Sequence, residues 1–226
     1  MPYLLARLLL TPLVRLVYRP VVRGKSKVPQ RGAVIFASNH LSFIDSIVIA
    51  LLCPRPVHFI AKDAYFTGTG LKGALSRCFF TTFGCIPVDR SGLRSAQASL
   101  EAAERVLTDG RAFGIYPEGT RSLDGRLYRG RTGVAWLALA TGAPVVPVAL
   151  TGTDRLQPVG RRLPRYHRIV VEFGSPLSCT IPATDIRPAQ ARRALTDQII
   201  EAIGDMSGQE QAPSYATVPS SGPDPS

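Results

Sequence analysis

Residues 33–53 read AVIFASNHLSFIDSIVIALLC, and the fold turns on how this stretch is divided. AVIFA, 33–37, is short and apolar, as a buried strand would be. DSIVIALLC, from Asp45, suits a helix. Between them lie His40, one of 3 histidines in the chain, and Asp45. Steps of three or four residues share a helical face, and the five-residue step from His40 to Asp45 does not. If the two side chains meet, the chain must turn between them. SFID, 42–45, reads as a capping box, with Ser42 capping the backbone and Asp45 favouring the positive helix end. That reading leaves Asn39 and His40 unexplained. A loop at 39–42 can bring the Asp45 carboxylate back under the imidazole. The carboxylate then orients the ring, and the other nitrogen serves as a base.

Working outward, the same alternation continues. Short apolar runs fall at 57–61, 84–88, 112–116, 145–150 and 168–173, with helix-like segments between them. LRSAQASLEAAERVLTDG ends on a glycine C-cap signal, TGVAWLALATG is apolar enough to be buried, and QARRALTDQIIEAIG is amphipathic. Strands alternating with helices predict an α/β fold with a largely parallel central sheet flanked by helices. Sites in such sheets gather at the C-terminal ends of the strands. His40, Arg90 and Glu118 each follow a predicted strand.

The two ends differ from this body. Residues 1–22 form a predicted membrane-interfacial helical segment, in which Arg7, Thr11, Arg15 and Arg19 recur at steps of four among leucines and valines. Pro12 is expected to kink or split it. The charge-free run 8–14 is far short of the roughly 20 residues a membrane span needs. A signal peptide fits poorly, because the charges lie within and after the apolar part. Residues 23–205 form the predicted domain, and the Ser-, Pro-, Gly- and Gln-rich residues 206–226 a predicted disordered tail.

The formal net charge of +11 suits an anionic partner, whether a membrane surface, a phosphorylated substrate or nucleic acid. No nucleic-acid motif accompanies it. Cys53, Cys78, Cys85 and Cys179 show no C-x-x-C spacing and read as reduced thiols. The scattered histidines propose no metal site.

Two further stretches bear chemistry. YPEGTRS, 116–122, follows the run AFGI, and Pro117 and Gly119 break the strand and throw out Glu118 and Arg121. GCIPVDR, 84–90, ends on Arg90. With Asn39, His40 and Asp45 as an N-H-x-x-x-x-D block, with Gly84, Ile86 and Arg90, with Tyr116–Ser122, and with the proline-bearing strand APVVPVAL, the chain resembles the lysophosphatidic acid acyltransferases of the glycerolphosphate acyltransferase superfamily. The four blocks keep order across residues 25–175, with Tyr116 where the family pattern has phenylalanine.

The resemblance implies transfer of a fatty acyl group from acyl-coenzyme A or acyl carrier protein to the free hydroxyl of 1-acyl-glycerol-3-phosphate, giving phosphatidic acid. It makes His40 the general base, aided by Asp45. It places Asn39, Ser42, Arg90, Glu118, Gly119, Thr120 and Arg121 at the substrate, with Arg90 and Arg121 on the phosphate and Glu118 holding the loop or Arg121. The thioester is a co-substrate, and no further cofactor or metal is implied. Expected partners are the lysophospholipid, the thioester donor and the phospholipid surface, on the cytoplasmic face of the cell membrane. Alternatives are another lysophospholipid or glycerol-3-phosphate as acceptor, or a serine lipase or esterase with Ser42 as nucleophile. The chain shows no G-x-S-x-G elbow.

Overall fold

The computed structural model describes residues 2–89, 95–161, 163–179 and 187–217. In chain order the elements are α1 (Pro2–Tyr18), β1 (Val21–Arg23), β2 (Val34–Ser38), α2 (Asp45–Leu52), β3 (Phe59–Lys62), α3 (Ala64–Thr67), α4 (Gly70–Thr82) and β4 (Cys85–Val88). There follow α5 (Ser95–Thr108), β5 (Ala112–Ile115), β6 (Leu127–Tyr128), α6 (Gly133–Thr141), β7 (Val145–Thr151), α7 (Thr153–Leu156), β8 (Val170–Phe173), α8 (Pro188–Ser207) and β9 (Gln211–Ala212).

The central sheet has the order β1-β8-β7-β2-β5. Only β7 and β8 run antiparallel; the pairs β1–β8, β2–β7 and β2–β5 are parallel. A separate parallel pair, β3–β4, is tied to it by a bridge from His58 to Phe113. The strand predicted at 33–37 sits at the heart of the sheet. Val34 and Phe36 enter the core beneath α2, while Ile35 and Ala37 enter the core beneath α5, α6 and α8. All four are 0% exposed, so the strand is apolar on both faces rather than alternating. The two cores define the helix–sheet–helix layering.

Gly84 stands where β4 must begin tightly against its neighbour. Its φ of +67 lies in the left-handed region that glycine tolerates, and an added Cβ would meet His58 Nδ1 at 2.9 Å.

Two expectations about the ends are corrected. α1 runs through Pro12 as one helix, with Pro12 on its exposed side. Its polar residues also turn inward more than the stripe suggested. Tyr3 donates to Ala50 O at 3.0 Å and Thr11 to Leu51 O at 3.2 Å, and Arg7 Nη2 donates to Cys53 O. These carbonyls belong to the last turn and cap of α2, where intrahelical donors run out and a cation is favourable. The leucines consequently face outward. Leu4, Leu5, Leu8, Leu9, Leu13 and Leu16 are exposed, as are Leu71 and Leu75 on α4. Among the described residues no helix is long and apolar enough to cross a membrane.

At the other end, residues 206–217 belong to the fold and are not a disordered tail. α8 closes at Ser207 on Gly208, and β9 pairs in parallel with β6. Ala212 and Ala216 are buried. The polar composition misleads because this segment is held by hydrogen bonds and small buried side chains, which hydropathy does not register. Residues 218–226 lie outside the described residues.

Candidate active site

β5 and β7 flank β2 and run parallel to it, so the C-terminal ends of the three open on one edge of the sheet. The chain leaves β2 at Ser38 and turns through 39–44 into α2. Asp45, the first residue of α2, reaches back across that turn. One carboxylate oxygen, Oδ2, lies 2.9 Å from His40 Nδ1 and accepts from Leu41 N at 2.7 Å and Ser42 N at 2.8 Å. The carboxylate can only accept, so Nδ1 carries the proton and the lone pair is left on Nε2. Asp45 is fully buried while the His40 side chain remains 17% exposed. Oδ1 of Asp45 is buried with no hydrogen-bond partner among the described residues.

Ser42 does not cap α2. Its hydroxyl donates to Gln157 O at 2.7 Å, and the capping position is Ile44 without a side-chain bond. The carboxylate of Asp45 takes over by binding the amides of 41 and 42. Ser42 is buried, and its hydroxyl is committed to a carbonyl, which argues against the serine-hydrolase alternative. Asn39 is likewise bonded within the fold. It is 0% exposed, its Oδ1 accepts from Leu150 N at 2.8 Å, and its Nδ2 donates to Leu150 O at 2.9 Å. The asparagine thus carries the β2–β7 pairing one step beyond the strand. Asn39 and Ser42, expected at the substrate, have their side chains bonded within the fold beneath the histidine.

The loop after β5 grips the histidine from behind. Glu118 Oε1 accepts from His40 N at 3.0 Å, and Oε2 accepts from Tyr128 N at 2.9 Å. Ser122 N donates to His40 O at 2.8 Å, so both peptide groups of the histidine are bonded to this one loop. Burial raises the Glu118 carboxyl to about 7 against the pull of these two amides. Glu118 thus joins the His40 turn to β6 through backbone groups. Gly119, at φ +78, makes the turn, and its missing Cβ leaves room for Arg131, whose Nε would lie 2.8 Å away. Thr120 and Arg121 are partly exposed. Arg90 lies outside the described residues.

Two partners escaped the sequence reading. Tyr116 stacks on His40, with ring centroids 3.8 Å apart and an 11° interplanar angle, and its hydroxyl meets Ser46 Oγ at 2.7 Å. Burial, then the nearby Asp45, raises its phenol well above the ordinary range. The departure from phenylalanine was visible in the motif, but the stack was not. Gln209, in the segment taken for a tail, accepts from Asn39 Nδ2 at 2.6 Å. Nothing in its local sequence marks it. Among the described residues no group of three or more His, Cys, Asp or Glu could hold a metal ion.

An imidazole oriented by a buried carboxylate at the strand ends of an α/β sandwich is equipped to take a proton from a hydroxyl. The chain belongs to the Acyltransferase family, whose model matches residues 19–151. It is 33% identical over 144 residues to a chloroplastic 1-acyl-sn-glycerol-3-phosphate acyltransferase of Brassica napus, covering 63% of this chain and 40% of that protein. It is 31% identical over 134 residues to a 1-acyl-sn-glycerol-3-phosphate acyltransferase of Borreliella burgdorferi, covering 59% of this chain and 52% of that one. The matched region thus spans about half, or less, of these relatives' own length. The crystal structure of the 1-acyl-sn-glycerophosphate acyltransferase of Thermotoga maritima shares the fold, with a TM-score of 0.61 at 22% identity over 89% of this chain and 81% of that one.

Proposed function

We propose that this protein transfers a fatty acyl group from an acyl-coenzyme A or acyl-carrier-protein thioester to the free hydroxyl of 1-acyl-glycerol-3-phosphate, forming phosphatidic acid. The observation that carries the reading is the 2.9 Å contact between His40 Nδ1 and the buried Asp45. The names of the relatives supply the acceptor class.

In this reading Nε2 of His40 takes the hydroxyl proton as the oxygen attacks the thioester carbonyl. A tetrahedral oxyanion forms, the C–S bond breaks as it collapses, and the imidazolium returns the proton to the departing thiolate. Asp45 balances the imidazolium charge through Nδ1–H, and the Tyr116 face stacked on the ring adds a cation–π contribution. The thioester is already activated, so the scheme needs no covalent enzyme nucleophile. Arg121, with Arg90 after β4, is assigned to the acceptor phosphate, where a planar guanidinium can bind two oxygens at once.

Acceptor and product are lipids, and the outward leucines of α1 and α4 support a peripheral or monotopic attachment, here assigned to the cytoplasmic membrane face. Purified protein supplied with radiolabelled acyl-coenzyme A or acyl carrier protein and a panel of lysophospholipids, glycerol-3-phosphate and monoacylglycerol tests the reaction. Phosphatidic acid formed preferentially from 1-acyl-glycerol-3-phosphate is expected, and fatty acid release without acceptor dependence would return the hydrolase alternative. Liposome flotation with and without residues 1–20 tests the attachment. The full chain is expected to float and to be released only in part by high salt, because the apolar share is not screened. Equal flotation of the shortened chain would place the contact elsewhere.

A further inference from the structure

The segment after α8 lies beyond the family match at 19–151, yet it reaches the residue beside the base. Its course is fixed at several points. Leu127 N donates to Glu210 O at 2.9 Å and Arg129 N to Ser214 O at 3.0 Å, so residues 210–214 run beside β6, paired to it through the two-residue β9. Tyr215 lies under two guanidiniums, with Arg129 and Arg131 centred 5.4 and 5.6 Å from its ring.

Gln209 sits where this strap crosses the site, and its amide uses both ends. Oε1 accepts from Asn39 Nδ2 at 2.6 Å, and Nε2 donates to Gly125 O at 2.7 Å. Asn39 precedes the histidine, and Gly125 follows the loop whose Ser122 N and Glu118 carboxylate hold the histidine's two peptide groups. One side chain therefore ties the turn that carries His40 to the loop that grips it. The same strap pairs with β6, and Tyr128 of β6 donates to the second oxygen of Glu118. Gln209 also walls a cleft of about 410 Å³ together with Leu41, the residue after the histidine.

We propose that Gln209 is a positioning residue for His40, acting through Asn39 and Gly125, and that the strap at 208–217 completes the active site. This rests on the reading of His40 as the base. Asn39 has two amide protons, and Leu150 O takes only one of them. Without Gln209 the other loses its acceptor in a fully buried place, and the loop beside the base is free to find another arrangement.

The test compares Gln209→Ala with Gln209→Glu in the full chain. The Glu variant keeps an acceptor for Asn39 and loses the donor to Gly125. With 1-acyl-glycerol-3-phosphate presented in vesicles, Gln209→Ala is expected to lower kcat about 10- to 100-fold while acceptor KM stays within about threefold, since a small misplacement of a base is costly and substrate contacts are untouched. Gln209→Glu should recover part of the loss. Proton NMR supplies the readout that a merely structural role leaves alone. The Nδ1–H of His40, bonded to Asp45, should give a low-field imidazole signal, assigned by its loss in His40→Ala. In Gln209→Ala, well below its melting temperature, that signal should shift or broaden.

Unchanged kcat in a folded Gln209→Ala protein, or lowered kcat with an unchanged imidazole signal, overturns the proposal. His40→Ala run alongside separates it from the reading beneath it. Turnover surviving in His40→Ala sinks the base itself, whereas a dead His40→Ala beside a fully active Gln209→Ala sinks only the role of Gln209.

Discussion

The loop at 39–45 and the loop at 116–122 each place an ionisable pair of motif residues at a strand end, and the two are used differently. In the first, Asp45 faces the imidazole and two amides of its own turn with a single oxygen. In the second, Glu118 gives both oxygens to backbone amides, one of them the amide of His40 itself. A carboxylate whose lone pairs face a titratable ring can orient that ring and stabilise its cation. One that faces only peptide groups holds a shape. Both are buried and both belong to the motifs, so motif membership and burial do not separate the roles. The hydrogen-bond partners do.

The sharpest way to break that comparison is to remove each carboxylate. His40→Ala and Asp45→Asn should each lower turnover about 10²- to 10⁴-fold with the fold retained by circular dichroism, the range lost when a positioned general base is removed. Retention of more than about a tenth of the wild-type rate in either would end the dyad reading. Glu118→Ala should act mainly on stability. It orphans the amides of His40 and Tyr128, and each buried group left unsatisfied costs about 1–3 kcal/mol. Urea unfolding measures the loss. The rate should fall less than in the dyad variants once both are assayed folded.

A pH experiment sharpens the same contrast. The Glu118 carboxyl rises from 4.5 to about 7 on folding because burial disfavours its charge. The folded state then binds the proton more tightly than the unfolded chain does. This contribution to stability is fully present below 4.5 and is lost as pH rises towards 7. Glu118→Gln, which cannot titrate, should flatten the fall in unfolding free energy across that window relative to wild type. Parallel slopes for the two proteins would show that another group carries the dependence.

How much of this was legible beforehand depended on whether a residue acts along the chain or across it. AVIFA declared a strand because it is apolar on both faces, and the turn needed to join His40 and Asp45 followed from their spacing alone. Short elements such as β1, β6 and β9 gave no periodic signal, since two or three residues cannot show one. The motif places Asn39 at the substrate and says nothing of its partners in the fold. Its actual partners, Leu150 and Gln209, are 111 and 170 residues away. The inward turn of Arg7 and Thr11 was equally hidden, because a polar stripe on a helix looks the same whether it meets water or the open carbonyls of another helix.

The smallest effect is expected at Tyr116, where the two loops touch. Its ring stacks on His40 at 3.8 Å, and its hydroxyl bonds Ser46 Oγ at 2.7 Å. Tyr116→Phe keeps the stack and gives up only that bond. A neutral hydrogen bond nets about 0.5–1.5 kcal/mol of stability, and turnover should stay within about threefold of wild type. Tyr116→Leu removes the aromatic face as well and should lower turnover further than the phenylalanine variant does. If Phe were as damaging as Leu, the phenol and not the ring would be the active part. The supporting loop would then take part in the chemistry through its hydroxyl, and the division between a loop that reacts and a loop that holds would fail at the point where they meet.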